Sequence, residues 1–183
     1  MQTRKILSFV LAASVAAAFG LTGCSKSDKG EGTDKTTQAQ APHAKNTSAV
    51  IADLLERLKE KPNDGDTLWH LGDAYFEARQ FSDASTYYKR ALLVKPNEVD
   101  IYNELGLSVH YLGNTDDGLK VVEEGIKKDP LHQRIWLTKG YLLAYGKGDL
   151  EGAKTAWEKA KALNPESQVG KAASEYLAQL TKK

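Results

Sequence analysis

The stretch GDTLWHLGDAYFEARQFSDASTYYKRALLVKPNE, residues 65–98, decides the fold. Its apolar residues recur at steps of three and four in two runs, parted at Arg79-Gln80 and closed by Pro96. That is the pattern of two amphipathic helices joined by a tight turn. A proline after such a run lacks the amide hydrogen and clashes with the preceding turn, so it ends one helix and begins a connection. Pro62, Pro96, Pro130 and Pro165 stand 34, 34 and 35 residues apart, and a fixed period of this size marks a solenoid of stacked helix pairs.

Laid on those prolines, Leu71-Gly72, Leu105-Gly106 and Lys139-Gly140 share a column, followed by Tyr75, Val109 and Leu143. Ala84, Gly118 and Ala153 align, as do Tyr88, Val122 and Trp157, and then Ala91, Gly125 and Ala160. Glycine inside a helix costs about 1 kcal/mol relative to alanine, so Gly72, Gly106 and Gly140 imply close helix contact as the compensation. These columns resemble the tetratricopeptide repeat family, whose pattern is Leu-Gly, Tyr, Ala, an aromatic, Ala and Pro. The resemblance covers residues 65 to about 165. It implies an all-α, right-handed helical solenoid of three helix pairs, with repeats at about 65–98, 99–132 and 133–167.

Outside the repeats, Val50, Ile51, Leu54, Leu55 and Leu58 predict one amphipathic helix over 49–60, a half repeat with Ser48 as its N-cap. The pairs follow at about 66–79 and 82–94, 99–112 and 115–128, and 133–145 and 150–163. A longer third turn, Gly146-Lys147-Gly148, accounts for the 35-residue spacing. Ser167 caps a last helix to about 181, whose Val169, Ala172, Ala173, Tyr176, Leu177 and Leu180 cover the end of the array. The expected total is eight helices, and residues 47–183 suffice for one domain with a continuous core.

The N-terminal segment carries its own signal. Arg4 and Lys5 precede an apolar run from Ile6 to Phe19 and then Leu21-Thr22-Gly23-Cys24. The run is short for a span of about 20 residues and suits an export signal. It resembles a bacterial lipoprotein signal peptide, which implies removal of residues 1–23 and lipidation of Cys24 with a diacylglycerol and an amide-linked acyl chain. An export signal with an incidental cysteine is the other reading. More than one acyl chain gives stable anchoring, and Ser25 after the cysteine resembles the default for the outer membrane facing the periplasm. Residues 24–46 then form a disordered tether poor in large apolar side chains, about 25–30 Å long on average as a coil.

Cys24 is the only cysteine, so no intrachain disulfide forms. Without Arg4 and Lys5 the chain has 23 basic and 24 acidic residues, a formal charge of −1, which argues against nucleic-acid binding. His43, His70, His110 and His132 lack the paired spacing of a zinc site, and no phosphate loop or nucleophile elbow occurs. Asp116-Asp117 and Glu123-Glu124 are adjacent acids without a convergent base or nucleophile. No catalytic residue, metal, cofactor or small-molecule substrate is expected.

The resemblance implies that the first helix of each pair lines a concave groove. Its groove places fall on Asp66, Trp69, Asp73, Phe76 and Glu77, on Asp100, Asn103, Leu107, His110 and Tyr111, and on Arg134, Leu137, Tyr141, Ala144 and Tyr145. Trp69, Phe76, Tyr111, Tyr141 and Tyr145 make the groove aromatic, and the acids predict a ligand segment with apolar anchors and at least one Lys or Arg. Trp69 and Phe76 have a second reading, turned inward as core. The family's carboxylate clamp is rejected: its places hold Trp69, Asp73, Glu104, Arg134 and Thr138, and the acids would repel a terminal carboxylate. The expected function is a membrane-anchored adaptor that binds a peptide segment of an envelope protein. The alternatives are a chaperone-like factor in cytochrome c maturation, or a self-associating component of an envelope assembly such as a pilus machinery.

Overall fold

The computed structural model describes residues 42–181, and the side chains from residue 47. The expected signal peptide, Cys24 and the tether up to residue 41 lie outside the described residues. Among the described residues eight α-helices follow one another: α1 (Pro42–Glu60), α2 (Gly65–Glu77), α3 (Phe81–Val94), α4 (Val99–Tyr111), α5 (Thr115–Lys128), α6 (Gln133–Tyr141), α7 (Leu150–Leu163) and α8 (Gln168–Leu180), with a π-helical turn at Leu142–Lys147. No strand occurs among the described residues.

The helices pack as a helical-repeat solenoid. Each pairs with its successor, and α2, α4, α6 and α8 also touch in sequence, so they form one face. α1 packs on α2 as α3 does on α4, which makes it the second half of a preceding unit. α8 contacts both α6 and α7, which places it as the first half of a following one. Each end of the array is therefore covered by a helix with a polar outer side.

The glycine column explains the pairing. A Cβ at Gly72 would meet the Tyr88 ring at 2.5 Å, and one at Gly106 would meet a Val122 methyl at 2.5 Å. At Gly140 it would overlap the Trp157 indole. The three facing side chains are fully buried or nearly so, and Trp157 Nε1 donates to the Leu137 carbonyl at 3.1 Å. Close approach at each glycine thus repays its poor helix propensity by burying a large side chain.

Turns and caps follow local chemistry. Gly113 and Gly148 hold φ of +87° and +69° after the first helices of the second and third pairs, a conformation that costs glycine little. Ser167 Oγ accepts from Gly170 N at 2.9 Å as the expected cap of α8. Asp64 and Asp149 cap α2 and α7 in the same way.

Two boundaries differ from the sequence reading. α1 begins at Pro42 rather than 49, so residues 42–46 extend the helix instead of the tether, and Ser48 is within it. Proline suits a first helical position because its missing N–H has no partner to lose there. The extra residue of the third unit is taken up before the turn, in the helix itself: the Leu143 carbonyl accepts from Gly148 N, five residues on. A π turn absorbs a one-residue insertion without unwinding the helix.

Candidate functional site

The face made by α2, α4, α6 and α8 carries two strips of chemistry. The first is a row of rings. Phe76 meets Phe81 at 5.4 Å between centroids and Tyr111 at 5.9 Å. Phe81 stacks on Tyr111 at 4.7 Å, and the Tyr111 and Tyr141 hydroxyls lie 3.5 Å apart. Tyr141 contacts Tyr145 at 4.9 Å, and Tyr145 contacts Tyr176 of α8 at 6.4 Å. The row runs from the first unit to the cap. Its outer members remain accessible, Tyr145 at 57 % and Tyr111 at 36 % exposure.

Burial, with a smaller contribution from the hydrogen bond to Tyr111, pushes the Tyr141 hydroxyl up to about 12, so it stays a neutral donor. His110 edges onto Tyr141 at 5.8 Å, and its Nδ1 is 3.0 Å from Thr115 Oγ1. Burial holds its imidazole below the usual histidine value, which favours the neutral ring. Gly146 of the π turn sits against the same Thr115 and His110, too close for a side chain.

The second strip is charged. Arg134 of α6 pairs with Glu104 of α4 and lies 3.6 Å from Asp100 Oδ1. His132 Nε2 approaches that same Asp100 oxygen at 3.3 Å. Asp73 of α2 accepts the Tyr88 hydroxyl at 2.9 Å. Burial raises the carboxyls of Asp73 and Glu104 above their usual range, against the opposing pull of Tyr88 on the first and Arg134 on the second. Asp66 is neutralised by Lys95.

At the N-terminal end, an open cavity of about 660 Å³ lies between α1 and α2. Val50, Leu54 and Ala74 supply its apolar wall, while Asp53, Asp73 and Glu77 supply carboxylates beside Arg57 and His70. Among the described residues no cluster of three or more His, Cys, Asp or Glu could hold a metal, and no helix is long and apolar enough to cross a membrane.

Of the expected groove residues, Asp73, Phe76, Glu77, Leu107, His110, Tyr111, Arg134, Leu137, Tyr141 and Tyr145 are half-buried or exposed. Trp69 and Asn103 are corrections. Trp69 is 7 % exposed and joins the apolar cluster of Leu54, Leu58 and Leu68, with Lys95 Nζ 5.4 Å from its ring centre. Asn103 is fully buried. An indole at that place is drawn inward because α1 offers it apolar surface. The sequence reading missed Phe81 and Tyr176 as members of the ring row, because they belong to α3 and α8 rather than to a groove column. Glu104, a clamp place in the family pattern, anchors the charged strip.

The family models "TPR repeat" and "Tetratricopeptide repeat" match residues 72–113 and 108–167. The chain is 28 % identical over 99 residues to Superkiller protein 3 of Saccharomyces cerevisiae, a stretch that covers 52 % of this chain and only 7 % of that protein. Among solved structures it is similar to MamA, with a TM-score of 0.62 and 17 % identity over 75 % of this chain and 88 % of the other. It is also similar to PcrH in complex with the chaperone binding region of PopD, at a TM-score of 0.58 and 21 % identity, covering 64 % and 90 %. Likeness at such identities establishes the fold.

Proposed function

We propose, on the premise that residues 72–167 carry tetratricopeptide repeats, that this chain is a lipid-anchored adaptor of the bacterial cell envelope. It holds an extended or helical segment of another protein and performs no chemistry of its own. The ring row on the α2, α4, α6 and α8 face carries this reading: Tyr111 and Tyr145 leave aromatic surface open beside an acidic strip. Such surface suits apolar anchors flanked by a basic side chain. That PcrH, of like fold, is solved with a region of PopD supports the binding of a protein segment.

Anchoring rests on the lipobox-like Leu21-Thr22-Gly23-Cys24. A tethered domain meets membrane-bound partners at a raised effective concentration. The outer membrane, facing the periplasm, is the proposed site.

Photo-cross-linking tests the groove. Benzoylphenylalanine replaces Tyr111 or Tyr145 in the full chain, with exposed Lys159 of α7 as the control position. The expected result is a discrete product from positions 111 and 145, identified by mass spectrometry, and none from 159. Products of equal yield from all three positions, or of the chain with itself alone, would overturn the reading. Globomycin, which blocks lipoprotein signal cleavage, is expected to leave a larger precursor; unchanged mobility would remove the lipid anchor.

A further inference from the structure

The charged strip contains a polar group that the fold leaves unmet. Asn103 is fully buried, and its Oδ1 has no hydrogen-bond partner among the described residues. Its Nδ2 lies 3.4 Å from Glu104 Oε1, the oxygen that also receives Arg134. A buried acceptor without a donor is a standing penalty, relieved by any N–H brought to it.

The balance of charge agrees. Arg134 is shared among three carboxylates: it pairs with Glu104, lies 3.6 Å from Asp100 Oδ1 and is within electrostatic reach of Asp73. Glu104 is deeply set, its side chain 12 % exposed, whereas Arg134 is 48 % exposed and reaches it on a long flexible stem. The carboxylate is therefore fixed and the guanidinium is free to move into water.

We propose that Asp73, Asn103 and Glu104 form a subsite for one arginine or lysine side chain of the bound segment, and that Arg134 occupies it in the free protein. The partner's cation takes the place of Arg134, which swings outward. The subsite inverts the charge of a carboxylate clamp, since Asp73 and Glu104 stand at two of its places. It rests on the adaptor reading for the source of the cation, but its chemistry can be examined without any partner.

The test uses the full chain with Arg134→Ala and ethylguanidinium as the probe, against sodium at equal ionic strength. Ethylguanidinium is expected to raise the thermal midpoint of R134A by about 2–4 °C, and to do nothing for the wild type or for the E104Q/R134A double variant. Where R134A is unfolded without additive, the readout becomes helical circular dichroism, recovered by ethylguanidinium and not by sodium. No gain over sodium, or an equal gain in the double variant, overturns the subsite. Failed rescue with intact cross-links at positions 111 and 145 removes this inference alone; rescue without cross-links removes the adaptor.

Discussion

Arg79 holds, at φ +60°, the left-handed position that Gly113 holds at +87° one repeat later and Gly148 at +69° in the third. It is the single non-glycine residue with positive φ among the described residues. A side chain there meets steric resistance of about 1–2 kcal/mol, partly offset by the larger chain entropy that glycine loses on folding. Arg79→Gly is therefore expected to stabilise the chain by about 0.5–1 kcal/mol, read as a higher urea midpoint at unchanged slope. A lower midpoint would mean that the arginine side chain contributes more than its backbone costs.

Gly140 gives the opposite sign. Helix propensity alone favours Gly→Ala by about 1 kcal/mol, but a Cβ at Gly140 runs into Trp157, which is held by its hydrogen bond to Leu137. Gly140→Ala is expected to destabilise by about 1–3 kcal/mol through overpacking. Chemical denaturation followed by tryptophan fluorescence measures it, and a stabilised variant would show that α6 and α7 can separate freely.

The protonation of Asp73 sets a pH dependence. Burial raises its folded pKa above 3.8, so the folded chain holds that proton more tightly than the unfolded one. The associated stability is fully present below about 3.8 and is lost as pH rises through the folded value. Asp73→Asn keeps an acceptor for the Tyr88 hydroxyl and removes the charge. It is expected to be more stable than the wild type at neutral pH, with the two converging below about pH 3.8. His110 acts in the reverse direction, losing stability as pH falls below 6.5, but it is common to both chains and cancels in the difference. A constant difference across the range would show that Asp73 is not the titrating group.

What the sequence disclosed was periodic, and what it concealed was not. The helix pairs, the glycines facing Tyr88, Val122 and Trp157, and the Ser167 cap all follow from column and spacing. The interval between Pro130 and Pro165 announced one extra residue, expected in the turn at Gly146-Lys147-Gly148; the π turn at Leu142–Lys147 places it inside the helix instead. The resemblance, through its groove places, gave the aromatic character of the α2, α4, α6 and α8 face. It did not sort Trp69 from Tyr145, because an inward or outward ring depends on whether a neighbouring helix presents apolar surface to it. Asn103 was read as a surface residue for the same reason: a polar side chain gives no sign in sequence that the fold will enclose it.

Trp69 and Tyr145 therefore separate stability from the proposed binding. Trp69 lies in the apolar cluster with Leu54, Leu58 and Leu68, so Trp69→Ala removes a buried ring and leaves a cavity, at a cost of about 3–5 kcal/mol. Tyr145 is 57 % exposed and reaches its neighbours through ring edges, so Tyr145→Ala is expected to change stability by about 0.5 kcal/mol or less. Thermal unfolding and helical circular dichroism of the two full-length variants measure the contrast. Paired with Tyr111→Ala, the Tyr145 variant is expected to stay folded and to lose the partner segment, whereas loss of helicity in that double variant would make the ring row part of the core.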